Sequence, residues 1–498
     1  MFAGRWLRPR VKTYFVSLKK NLAFNFLLSL SQVLFPLLSI PWLSRVLDPA
    51  GLGRVQFIDG LTYYFIVLAE AGIVTHAIRE VARCRHDRSA LKQLVSELLT
   101  LHLLTTLASA CLYGLTVYLL YDRIGDVRLL LYSLSFLLIN GFACEWYFWG
   151  LEEFRYITLR SLLVRALALL SLFLLVRQPE HYVRYYALIA GTAIVVLAWN
   201  VLRMLAQTGI SFRKLQWRKH LRITRVTYAV SLVYSIPLLL DNVLLGVLSG
   251  TAVVAFYAYA LKIVRLLSAF ITDSFLVLYP RTVALLQEAD ERLLQRNLRL
   301  SAEGLLLLAL PAGAGIWLVA DSFTAVYFGP RFASVAGHLR ILSVYPLLIT
   351  LGLFLNKQVL MPRNQERFVL YGLLAGAASF LLLAFLLCRR WGSYGMAWAL
   401  VGSEVVVVLC NALFVRRLHR GLVPVPARTL AAAVASVALF LATGWCLRRL
   451  DLGPWPYLLA LLPACLLWFI LVLKAFRLEV SELLFAALRP KQKPSVLG

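Results

Sequence analysis

The run LRSLLVRALALLSLFLLV, residues 159–176, decides the architecture. Past Arg160 in its first turn it holds a single charge, Arg165. Roughly 20 apolar residues carry a helix across bilayer hydrocarbon, and runs of this kind recur about fourteen times from Leu22 to Leu473. Hydrophobic residues make up 61% of the 498, and charged residues 15%, too few to cover the surface of a soluble protein of this size. In lipid, backbone groups are satisfied within the structure, which leaves helices or closed barrels. Barrel strands alternate apolar and polar residues over about ten positions. These runs are apolar on all sides and longer. The expected fold is all-α: a polytopic membrane protein of about 14 transmembrane helices.

The expected spans are 22–43, 56–78, 94–120, 128–149, 157–176, 185–206, 227–248, 253–280, 300–320, 339–361, 368–388, 395–415, 429–447 and 457–473. The net charge of +27 suggests a nucleic-acid partner only until the basic residues are located. With both termini inside, about two thirds of them fall in cytoplasmic segments, as the positive-inside rule expects. No soluble domain remains to read a nucleic-acid groove. The seven cysteines are scattered and form no C-x-x-C pair, so neither metal nor disulfide chemistry is expected. No P-loop occurs, so ATP is not a direct driver, and no cofactor is called for.

The chain divides into a basic cytoplasmic N-terminus (1–21), six spans (22–206), a basic linker (207–226), six more spans (227–415), two added spans (416–473) and a cytoplasmic tail (474–498). From Arg203 to Arg225 there are basic residues and no acidic one, a pattern suited to topology and headgroup contact. Glu288 to Arg299 is amphipathic and reads as a helix continuing into the cytoplasm. Asp321 to Arg340 is the longest external connection. Pro36-Leu37-Leu38, Val46-Leu47 and Gly51-Leu52 reappear at one constant offset as Pro237-Leu238-Leu239, Val247-Leu248 and Ala252-Val253. A same-orientation repeat of six spans predicts two lobes about a pseudo-twofold axis, with a cavity between them. Spans 13 and 14 follow the break Val423-Pro424-Val425-Pro426 and lie outside the repeat.

A charge at mid-bilayer costs at least a few kcal/mol, so it faces a cavity or a partner. The deep ones are Glu70, Arg165, Asp241, Lys262, Arg265, Asp273, Lys357 and Glu404. Lys262 and Arg265, three apart, share a helix face. Asp241 follows Pro237 by one turn. Fixed cations in a low-dielectric cavity suit an anionic substrate. The carboxylates would balance them or take up a coupling proton or sodium ion; pairing of Asp241 or Asp273 with Lys262 is the structural alternative. Arg45 and Arg54 flank the turn Asp48-Pro49-Ala50-Gly51-Leu52-Gly53, whose glycines permit a tight, left-handed course. Arg45 then aims at a cavity mouth or anchors the interface. Trp146, Tyr147 and Trp149 read as an aromatic belt, with sugar stacking second.

The stretches FPLLSIPWLSRVLDPAGLGRV (35–55), AIREVA (77–82), EWYFWGLEEFRYIT (145–158), AFYAYALKIV (255–264) and VYFGPRF (326–332) resemble polysaccharide repeat-unit flippases of the Wzx/RfbX type. The resemblance runs from about residue 20 to 420. It implies the multidrug/oligosaccharidyl-lipid/polysaccharide exporter fold and movement of undecaprenyl-pyrophosphate-linked oligosaccharide to the outer leaflet of a bacterial plasma membrane. It implies no catalytic residue and no metal. Its partners would be the lipid-linked glycan, a coupling ion, membrane lipids, and polysaccharide polymerase and chain-length proteins. The family's cationic cavity corresponds here to Arg165, Lys262, Arg265 and Lys357, with Arg45 at its mouth. Relatives commonly carry an aspartate where Glu70 stands, and a polar or small residue near Asp241, where this chain has an acid. Substrate contact is thus expected at Arg45, Arg165, Lys262, Arg265 and Lys357, and ion coupling at Glu70, Asp241, Asp273 and Glu404. The rivals are a drug/cation antiporter of the same fold, which would prefer an acidic, aromatic cavity, and a membrane glycosyltransferase or polymerase, which would need catalytic loops this chain lacks.

Overall fold

The computed structural model describes residues 10–479, apart from 71, 212–214, 277, 289 and 419–425. The Pro-containing break at 423–425, residues 1–9 of the basic N-terminus and the tail beyond 479 lie outside the described residues. No strand occurs among those described. The chain forms two compact units, Met1–Ala255 and Phe256–Gly498.

The first unit holds α1 (Arg10–Val46), α2 (Pro49–Glu70), α3 (Ile73–Cys84), α4 (Arg88–Leu119), the single turn α5 (Tyr121–Ile124), α6 (Val127–Asn140), the short α7 (Glu145–Gly150), α8 (Phe154–Leu175), α9 (Tyr182–Thr208) and α10 (Trp217–Ser249). The second is built from α11 (Val254–Leu276), α12 (Tyr279–Gln287), α13 (Glu291–Tyr327), α14 (Val335–Leu342), α15 (Tyr345–Phe354), α16 (Glu366–Leu418), α17 (Ala427–Arg448) and α18 (Pro454–Phe476). Among the described residues 11 helices are long and apolar enough to cross a membrane, or 12 if α2 and α3 count as one bent span. The 53 residues of α16 turn at Gly392 (φ 55), where the sequence places the short connection from Arg389 to Tyr394. Helix α10, which carries the second copy of the Pro-Leu-Leu repeat, packs against α2 within the first unit.

Lipid tails are as apolar as leucine, so helices associate through close packing rather than escape from water. Small residues therefore matter where helices touch. A Cβ on Gly53 would overlap the Thr251 carbonyl oxygen. That corrects the expected left-handed turn: Gly51 and Gly53 lie inside α2, Asp48 accepts from the Gly51 N–H at 3.2 Å, and the glycines are there for close approach. Two cores form on this framework, one around Val55, Phe57, Leu61, Tyr113, Leu137 and Tyr186, the other around Ile73, Val81, Val95, Leu98, Trp146 and Phe148.

The end of the basic linker is tied to the first unit by one buried acid. Glu97 of α4 pairs with Lys219 (2.8 Å) and His220 (2.9 Å), and accepts from Gln93 (2.8 Å) and the Gln216 N–H (3.1 Å). His220 in turn lies 2.9 Å from His76 of α3. Part of that linker is thus internal structure rather than a free headgroup-binding surface.

In the second unit, α13 starts on its Asp290 cap and continues through the amphipathic stretch from Glu291, as the pattern predicts. The expected external loop after Asp321 is shorter than predicted. α13 persists to Tyr327 and α14 starts at Val335, because the apolar Phe323, Tyr327, Phe328 and Phe332 stack together and keep the chain compact. α15 runs into a π-helical turn, Leu355–Leu360. Helices α17 and α18 pack on each other and on α13. An apolar cavity of about 420 Å³ lies in this unit, lined by Leu267, Leu308, Phe440, Leu462 and Phe469 among others.

Candidate functional site

The break between α2 and α3 positions the first group of polar residues. Gly72 adopts φ 72, a left-handed conformation that costs a residue with a Cβ about 1–2 kcal/mol. The two helices meet at 45°, and Glu70 is the last residue of α2. Broken membrane helices are tolerated where they are buried or line a cavity. Here a cavity of about 440 Å³ opens at the break, walled by Glu70, Asn140, Glu145, Trp146, Trp149 and Asn200 with apolar Val74, Ile78, Val196 and Leu197.

The tryptophans reach this cavity because the chain leaves helical geometry after Asn140 and restarts at Glu145 as the short α7. Trp146 and Tyr147 are only 2% exposed, so the lipid-facing belt expected for them is not formed. Trp146 donates to the Ala143 carbonyl (3.0 Å), and the Tyr147 and Thr208 hydroxyls hydrogen-bond each other.

Arg160 of α8 joins these elements. It is 4% exposed. Its guanidinium donates to Glu145 at 2.7 Å and to the Asn200 side-chain oxygen, which also accepts from the Tyr156 hydroxyl at 3.0 Å. Two acids, two amides, two indoles and an arginine thus converge from five helices. The half-buried Trp149 ring beside paired donors and acceptors suits a sugar ring.

Arg165, five residues further on, donates to Ser31 and to the Leu28 carbonyl of α1 and interacts electrostatically with Glu145 and Arg160. Arg45 is exposed at the end of α1. Asp241 is 1% exposed on α10, which runs without a break past Pro237, and accepts from the Asn242 N–H at 2.7 Å. In the second unit, Lys262 is exposed and Arg265 half-buried on α11, and Arg265 interacts electrostatically with Glu404 of α16. Asp273 is exposed near the other end of α11. Lys357 sits on the π-helical turn, which α16 packs against and which Gln358 ties to the Phe275 carbonyl (3.2 Å). Such turns recur at functional sites. Among the predicted residues, the structure brings together Arg265 with Glu404, and Glu70 with a polar cavity.

Sequence reasoning passed over Arg160, Glu145 and Asn200. Arg160 stands one turn inside a span, and two residues before the span's expected start there is already Arg155, so it reads as interfacial. Asp59 was missed too; it lies on α2 amid Tyr63, Tyr113, Tyr185 and Tyr186, with which it interacts electrostatically. Its signal was weak: it stands four residues into the expected span 56–78, while the structure puts it at the middle of α2.

Comparison with known proteins bears on this arrangement. A family model described as "Polysaccharide biosynthesis protein" matches residues 18–285. A protein of Shigella dysenteriae named "Putative O-antigen transporter" is 23% identical over 396 residues, 79% of this chain and 98% of its own length. One of the same name from Escherichia coli (strain K12) is 24% identical over 417 residues, 80% of this chain and 97% of its own. Among solved structures, the lipid II flippase MurJ in an inward closed conformation superposes with a TM-score of 0.67 at 12% identity, covering 94% of this chain and 100% of that one. An inward-facing multidrug resistance MATE family transporter of the MOP superfamily gives 0.65 at 17%, covering 78% and 96%. At these identities the structural neighbours establish the fold, while the family model spans more than half of the 498 residues. The chain belongs to the polysaccharide biosynthesis protein family, as a multi-pass membrane protein with the MOP-superfamily fold.

Proposed function

We propose that the protein flips lipid-linked oligosaccharide repeat units from the inner to the outer leaflet of a bacterial plasma membrane, by ion-coupled alternating access, for O-antigen, capsule or exopolysaccharide synthesis. The observation that carries this reading is the cavity at the α2–α3 break, where the half-buried Trp149 and Glu70 stand over a floor of Trp146, Asn140 and Asn200. The names of the relatives, O-antigen transporters and a lipid II flippase, support the substrate class. Undecaprenyl diphosphate is the carrier this reading assigns. Both termini face the cytoplasm.

Glu70 is the leading coupling group, since a carboxylate at a helix break sits beside freed backbone carbonyls able to hold a cation. Asp241, Asp273 and Glu404 remain the other candidates. Arg45, Arg165, Lys262, Arg265 and Lys357 are assigned to the substrate's phosphates or acidic sugars. Arg265 would exchange its Glu404 interaction for a substrate anion. A lipid-linked glycan loaded on the inner face of proteoliposomes tests the reading: protein-dependent exposure at the outer face, driven by a proton or sodium gradient, is expected, and an absence of exposure under every gradient rejects it.

One observation favours a second reading, a drug/cation antiporter. The cavity is acidic and aromatic, as that function would prefer. Arg160 neutralises Glu145, however, and leaves Glu70 as the cavity's one carboxylate without an ion pair among the described residues. Export of cationic dyes by the same proteoliposomes, without glycan movement, would establish the antiporter instead.

A further inference from the structure

A second cavity, of about 550 Å³, opens between α8 and α9, and Arg160 belongs to it as well. Its walls carry three guanidiniums, those of Arg155, Arg160 and Arg203, against one carboxylate, Glu153. That carboxylate is engaged by Arg203 at 2.9 Å and Gln207 at 3.0 Å. Arg203 also lies 3.9 Å above the Tyr156 ring. Arg155 is exposed and makes no ion pair among the described residues.

The floor has a spare donor. The Nε of Arg160 is buried without a hydrogen-bond partner. A buried unpaired donor is costly, and this one, with the guanidiniums of Arg155 and Arg203 beside it, calls for anionic acceptor oxygens. Arginine forks match phosphate oxygens bidentately. The rim is apolar: Leu159, Leu163 and Trp199 are 50%, 48% and 41% exposed. On a body embedded in lipid such side chains meet hydrocarbon chains. The site therefore suits a phosphate attached to a long apolar tail.

We infer that this cavity captures the diphosphate head of a polyprenyl-linked lipid, with Arg155, Arg160 and Arg203 as donors and the chain lying along Leu159, Leu163 and Trp199. The inference rests on the flippase reading and deepens it. Arg160 lines the phosphate cavity while its partners Glu145 and Asn200 line the tryptophan cavity, so a head held here places its first sugar toward Trp149.

The full-length protein in phosphatidylcholine nanodiscs, titrated with a labelled polyprenyl diphosphate, tests this. Arg155→Glu should weaken binding about tenfold or more and Arg155→Lys far less, because Arg155 supports no internal contact whose loss would unfold the protein. Binding unchanged by Arg155→Glu overturns the site. Phosphatidylglycerol or inorganic pyrophosphate should compete poorly. Equal competition by the first overturns the diphosphate assignment, and by the second the role of the apolar tail. The flippase reading fails separately, if the wild-type protein binds the probe yet moves no lipid-linked glycan between leaflets.

Discussion

At the scale of single residues, the Arg160–Glu145 pair is asymmetric. The arginine side chain is 2% exposed and the glutamate 44%. Removing one partner of a buried pair costs about 3–5 kcal/mol when the remaining charge stays desolvated. Glu145→Gln leaves a buried guanidinium and is expected to approach that range, lowering the melting temperature of the detergent-solubilised protein. Arg160→Gln leaves a carboxylate open to the cavity and should cost distinctly less. Equal losses would mean that the two groups are equally desolvated. Glu70→Gln removes the carboxylate at the helix break without changing side-chain volume. It should abolish the ion dependence of glycan movement and leave the melting temperature within a few degrees; intact ion dependence would remove Glu70 from the coupling role. Depth along a span singled out Glu70, Arg165 and Glu404, which the structure leaves half-buried. Arg160 was not, because its significance comes from Glu145, fifteen positions earlier, brought in by a chain reversal that no hydropathy pattern encodes.

At the scale of elements, the long helices were readable and their interruptions were not. The apolar runs at 157–176 and 429–447 match α8 and α17 to within a few residues. The break at Gly72 sits inside a run that reads as one span, since a single left-handed residue leaves apolar periodicity intact. Gly72→Ala should destabilise by about 1–2 kcal/mol through backbone strain alone. The added methyl would also lie 3.2 Å from the Tyr228 backbone nitrogen, so a larger loss in thermal melting is expected than for alanine at an unstrained helical glycine. The Glu97 knot makes a separate prediction. Glu97→Ala strands Lys219 and His220, and should release the linker's end, measured as faster trypsin cleavage at Lys219 in inside-out vesicles. Cleavage at the wild-type rate would show that other contacts hold the linker.

At the scale of the whole molecule, the class was legible because hydrocarbon thickness sets one length for every crossing helix. The positive-inside bias orients the chain, and a cysteine placed between Arg203 and Arg213 in a background without the seven native cysteines should react with an impermeant maleimide only from the cytoplasm. Reaction from outside inverts the topology. What composition left unread is which polar residues meet, because that depends on how helices turn about their axes.

The fastening of α17 and α18 chiefly to α13 makes the terminal hairpin a detachable buttress. Were it absent, acyl chains would cover the bared leucines at little solvation cost, since a membrane supplies its own apolar partner. A truncated chain ending near Leu418 should therefore still insert and keep the tryptophan-lined chamber of the other unit, forfeiting interlocked side chains and the Arg296–Glu479 and Arg448–Asp321 ion pairs along one seam.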